Sequence, residues 1–177
     1  MAGSLIKIDE VILSGAVSSV TLGASDWDNS YDVYLVKLNN VAPSSDDVDM
    51  QMRFTKTSDN STDDSSNYDF AYKTLKTYSS FENDGSTNQS SFRITTQEIG
   101  TGTSETLNGV MYLFNFNNAS EYSFFTEELT CVDDSEYFHG NQGGGVLTVS
   151  QATNGVNYFM ASGNIASGTF SLYGLRK

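Results

Sequence analysis

The 177-residue chain carries 22 acidic against 9 basic residues, a net charge of -13, with one proline and one cysteine. Cys131 alone cannot form an internal disulfide framework. The scattered Lys and Arg argue against nucleic-acid and anionic-membrane partners, and no apolar run approaches the roughly 20 residues of a membrane-spanning helix. A chain of this length is expected to form one domain, residues 1–177, burying roughly 70% of its unfolded surface. Its opening, MAGSLIKIDE, lacks the basic region and long apolar core of a signal peptide, so the expectation is a protein made and used without secretion machinery.

Period-2 alternation, the signature of half-buried strands, recurs along the chain. Weak runs at Leu5–Leu13 and Ala16–Leu22 come first. DWDNSYD follows, with Asp26, Asp28, Ser30 and Asp32 at alternate positions, as in the first half of an EF-hand loop. The required glycine at the sixth position is Tyr31, however, and the twelfth is Lys37. An irregular calcium site at Asp26, Asp28 and Asp32 stands against the plainer reading, in which Asp and Asn start turns by bonding their own backbone. YDVYLVKLNNV aligns Tyr34, Val36 and Leu38, and DMQMRFTK aligns Met50, Met52 and Phe54.

The polar stretch Ser58–Asn67 reads as a long loop tip, and Tyr68–Tyr78 as a strand or a short helix. ENDGSTNQSS reads as a turn, Phe92–Ile99 as a strand and GTGTSET as a turn. GVMYLFNFN groups Val110, Tyr112, Phe114 and Phe116, and Tyr122–Thr130 alternates weakly. GNQGGG, Gly140–Gly145, is expected to make a wide turn or to admit another chain closely. Val146–Ser150 and Val156–Ser162 precede the ending SGNIASGTFSLYGLRK. There a turn at Ser162-Gly163 or Ser167-Gly168 leads into a last strand with Phe170 and Leu172 facing the core and Tyr173 opposite. The sum is an all-β chain: a two-sheet antiparallel sandwich, jelly-roll-like, of about ten strands, with an up-and-down barrel as the alternative.

Catalytic chemistry finds little support. His139 is the single histidine, with no G-x-S-x-G elbow, and is expected as a surface or interface imidazole. One His and one Cys do not make a zinc site, and Cys131 is expected as a small apolar residue. The pairs Asp46-Asp47, Asp63-Asp64, Glu127-Glu128 and Asp133-Asp134 read as solvated acidic surface. The expectation is a non-enzyme without cofactor.

Two stretches carry a resemblance. In SYDVYLVKLNNVAPSSDDVDMQMRFT the elements are Tyr31, Asp32, Tyr34, Pro43, Asp46, Asp47, Met50, Met52 and Arg53, with Tyr68-Asp69 after a polar loop. The ending closes in Leu172-Tyr173-Gly174. Both resemble a pattern of small jelly-roll virion structural proteins of tailed bacteriophages and of modules appended to their tail proteins. The usual Asp-Gly-Gly turn after the Arg strand is replaced here by SDNSTDDSSN. The resemblance implies a capsid decoration (cement) protein, made in the host cytoplasm and residing on the capsid surface of the virion. It would be a homotrimer bridging neighbouring major capsid subunits, with Leu172, Tyr173 and Leu175 as partner contacts. The alternative is a tail or fibre component binding host-surface carbohydrate, with Trp27, Tyr31 and Tyr78 stacking on sugar rings.

Overall fold

Strands form where apolar side chains alternate, because the pleat sends successive residues to opposite faces. The computed structural model describes residues 4–176. It builds twelve strands in two sheets. In chain order they are β1 (Leu5–Ile12), β2 (Ser19–Gly23), β3 (Val33–Pro43), β4 (Met50–Lys56), β5 (Tyr68–Lys76) and β6 (Glu82–Gln89). Then come β7 (Phe92–Arg93), β8 (Leu107–Phe114), β9 (Ser123–Val132), β10 (Phe138–Leu147), β11 (Thr153–Met160) and β12 (Ile165–Leu175). The large sheet has the order β1-β12-β3-β8-β9-β10-β5-β6 and the small one β2-β11-β4-β7. Neighbouring strands pair antiparallel. The protein is an all-β sandwich.

One apolar core lies between the sheets. Tyr34, Val36 and Leu38 of β3 and Met50, Met52 and Phe54 of β4 all face it, as their alternation requires. Its centre is aromatic: Phe54 lies 4.6 Å from Phe116, 5.1 Å from Phe92 and 6.3 Å from Tyr68, ring centre to ring centre. The grouping at Val110, Tyr112, Phe114 and Phe116 divides. Met111 and Leu113 point inward, leaving Tyr112 exposed on the outer face. Asn115, at φ 62°, resets the phase so that Phe116 turns into the core.

Several expected boundaries change. Tyr68–Tyr78 follows its strand reading and not the helix: Tyr68–Lys76 is β5, with clean alternation. ENDGSTNQSS is not a turn: it supplies β6, a polar edge strand paired to β5. Of Phe92–Ile99 only Phe92–Arg93 is strand. GNQGGG is no turn either, but the middle of β10, paired on one side with β9 and on the other with β5. Its glycines admit this chain's own rings rather than another chain: a Cβ at Gly145 would lie 2.6 Å from the Phe92 ring and 2.8 Å from the Phe125 ring. Side chains from neighbouring elements fill the space that glycine leaves. The turn into β12 is at Ser162-Gly163, with Gly163 at φ 73°. Ser167-Gly168 lies inside β12, at a shift in register against β3.

Candidate functional site

The sandwich places the expected contact residues in two regions. Trp27 and Tyr31 sit in the connection between β2 and β3, after a single 3-10 turn at Ala24–Asp26. Asn117, just beyond β8, organises them. It accepts a hydrogen bond from Trp27 Nε1 at 2.8 Å and donates to the Tyr34 hydroxyl at 2.8 Å and to the Tyr31 carbonyl at 3.0 Å. The Tyr34 hydroxyl donates onward to the Asp28 carbonyl at 2.7 Å, and burial pushes its pKa up. The Trp27 ring lies 3.9 Å from Tyr34 and 5.4 Å from Phe116. The Tyr31 ring covers Gly174 so closely that an added Cβ would clash with it. Trp27 and Tyr31 are thus half-buried rings closing one end of the core. Beside Trp27 a depression of about 270 Å³ is lined by Asn29, Thr57, Asn117 and Asn154. A flat ring next to several amides suits contact with a hydroxyl-rich ligand.

The second region is the edge of the large sheet. Among the described residues β1 pairs only with β12, which leaves its other edge open. Leu5 is 50%, Ile6 39% and Ile12 69% exposed there. A register shift between Lys7 and Asp9 interrupts the edge, and the Asp9 carboxylate accepts the Gly23 amide at 2.9 Å, tying β1 to the small sheet. Tyr173 and Leu175 stand half-buried on β12, opposite Lys7 and Leu5 of β1. Leu172 is a correction: it is fully buried in the core and offers no surface to a partner. Nor is β12 an edge, because β1 and β3 occupy both its sides. The sequence marked Leu5–Leu13 as a strand but not as an edge, and it missed Asn117. A run such as LIKIDEVI reads the same at an edge or in the middle of a sheet, and Asn117 gains its role only from a fold that brings it to residues 83 to 90 positions away.

The acidic turns are spent on their own backbone. Asp28 accepts the Ser30 amide at 2.9 Å, Asp59 the Ser61 amide at 3.0 Å and Asp63 the Ser65 amide at 2.9 Å. Hydrogen bonds from Ser30 hold the Asp28 carboxyl below its ordinary range. Asp26, Asp28 and Asp32 form no common cluster: among the described residues no group of three or more His, Cys, Asp or Glu side chains is placed to hold a metal ion. Among the same residues no helix is long and apolar enough to cross a membrane.

His139 corrects the expectation of a surface imidazole. It is wholly buried on β10, bonded through Nε2 to the Asp133 carboxylate at 2.6 Å and paired in register with Cys131 of β9. Burial pushes the Cys131 thiol up to about 12, so it stays protonated and a poor nucleophile. The acidic pairs also divide: Asp63 and Glu127 are buried, against the expected solvated surface. Arg176 and Lys177 are the one adjacent basic pair in the sequence, expected to be set against acidic neighbours in an assembly, and Lys177 lies outside the described residues. No family model, no curated protein and no solved structure matches the chain.

Proposed function

We propose that this chain is a bacteriophage virion structural protein, a capsid decoration protein that sits as a homotrimer on the capsid and bridges neighbouring major capsid subunits. The resemblance of Tyr31–Arg53 and of the Leu172-Tyr173-Gly174 ending supports the reading. The observation that carries it furthest is the open β1 edge, with Leu5 and Ile6 exposed beside Leu175 and Tyr173 and Ile12 exposed at its far end. An apolar, unpaired strand edge is a template for another chain, and an acidic exterior elsewhere keeps a coat protein soluble.

Copy number tests this reading. Gel densitometry of purified particles should give an abundance comparable to the major capsid protein, and added protein should bind particles that lack it. Ile6→Lys with Ile12→Lys should abolish that binding while leaving the monomer folded. A few copies per particle, or failure of the wild type to bind bare capsids, overturns the decoration role. The depression beside Trp27, with its amide lining, favours a second reading: a tail or fibre component that binds host-surface carbohydrate. Low copy number together with glycan binding lost in Trp27→Ala would support it.

A further inference from the structure

Glu127 belongs to an acidic pair of a kind that usually faces water, yet it is 3% exposed in the middle of β9. Register places it in one inner row with Met111 of β8, Gly143 of β10 and Tyr72 of β5. Gly143 lies between the two polar residues and has no side chain. A Cβ there would come within 2.7 Å of Tyr72 Cδ1, so the Tyr72 ring takes that space, on the Glu127 side of its own strand. Both Glu127 carboxyl oxygens and the Tyr72 hydroxyl are buried without a hydrogen-bond partner. The Tyr158 hydroxyl of β11 is engaged by Met111 Sδ at 3.3 Å.

The other groups packed around this row do not balance a charge. Met50, Met52 and Phe54 of β4 and Met111 and Leu113 of β8 are apolar. Tyr72 and Tyr158 are phenols kept neutral by burial, and a negative Glu127 would oppose their ionisation further. Arg93 of β7 acts on Tyr72 through its charge alone and is held by the Asp84 and Asp49 carboxylates. Cys131 and His139 lie two inner positions further along β9 and β10, where His139 already holds Asp133. Burial is the one cause acting on Glu127, and it pushes the carboxyl well above its ordinary range. A neutral acid with an unmade hydrogen bond is tolerable in a core, whereas a bare carboxylate without a cation is not.

We propose that Glu127 makes the sandwich sensitive to pH: the core keeps it as a neutral carboxylic acid, and loss of its proton destabilises the fold. The sign follows from linkage. The folded chain holds a proton that unfolded glutamate has released, so stability is full below the ordinary glutamate pKa and falls as pH rises toward the folded value. In that window the folding constant drops tenfold per pH unit, which is about 1.4 kcal/mol.

The test is independent of the functional reading. Urea unfolding of wild type and E127Q, followed by the fluorescence of the single tryptophan Trp27, is measured from about pH 5 to about pH 9. The wild type should lose folding constant tenfold per unit relative to E127Q, since contributions shared by both proteins cancel in the difference. Parallel profiles overturn the proposal. Infrared spectroscopy gives a second readout. Native wild type at neutral pH should show a protonated-carboxyl carbonyl band that vanishes on unfolding and is missing in E127Q, or in E127L should the glutamine variant not fold. Absence of that band in the native wild type overturns the proposal whatever the variants do.

Discussion

Asn117→Ala should loosen the aromatic end of the sandwich and can be read through a single reporter. The substitution removes one bond accepted from Trp27 Nε1 and three donated, to the Tyr34 hydroxyl, the Tyr31 carbonyl and, at a long 3.4 Å, the Asn29 carbonyl. Each such bond contributes about 0.5–1.5 kcal/mol net. The Trp27 bond is exposed, so water replaces it and its share is at the low end. The Tyr34 hydroxyl keeps its bond to the Asp28 carbonyl, so no buried donor is orphaned. The expected loss is therefore about 2 kcal/mol, or about 4–8 °C in Tm for a domain of this size. Trp27 is the only tryptophan in the chain, so its emission reports both local loosening, as a red shift before unfolding, and the global transition in urea. Asn117→Asp separates the parts: it keeps the acceptor for Trp27, loses every donation and sets a carboxylate oxygen against the Tyr31 carbonyl, so it should cost about 2 kcal/mol with the Trp27 bond still in place. An Asn117→Ala protein within about 0.5 kcal/mol of wild type, with unshifted emission, would refute the claim that Asn117 ties β2–β3 to the end of β8.

Other perturbations probe separate parts. Phe54→Ala should cost about 4 kcal/mol by calorimetry, since it empties a site surrounded by Phe92, Phe116, Tyr68 and Phe125. Cys131 should resist a thiol reagent at neutral pH in native protein and react fully in urea, because it is buried and its thiol is pushed up to about 12. Burial works to raise the Asp133 pKa, but hydrogen bonds from His139 and the Tyr137 amide outweigh it and hold the carboxyl below its ordinary value. That contribution is present above the ordinary aspartate pKa and lost as pH falls through the folded value. Asp133→Asn should accordingly flatten the acid limb of stability against pH, measured by urea midpoints.

Much of the fold was legible because strand pattern is local. Met50, Met52 and Phe54 announce one buried face, and Tyr34, Val36 and Leu38 another, since the period of two needs no knowledge of the partner strand. The Asp-rich turns were legible for the same reason: Asp28, Asp59 and Asp63 bond amides two residues ahead. Strand identity failed where composition misleads. ENDGSTNQ has few apolar residues, yet it pairs with β5, because hydrogen bonding to a neighbour asks nothing of its side chains. GNQGGG looked like a turn and is a strand, since its missing side chains are replaced by Phe92, Phe125 and Tyr72 from other elements.

The all-β character of the chain, the places where most strands and turns fall, and the buried faces of β3 and β4 can all be read locally. These depend on alternation and turn chemistry within a few residues. Strand order settles the rest: β1 is an open edge while β12 is enclosed, Asn117 holds Trp27 and Tyr34, and Glu127 and His139 are buried. Each of these follows from which strands become neighbours, and strand order is set by contacts between residues far apart in the chain, which a period of two does not encode.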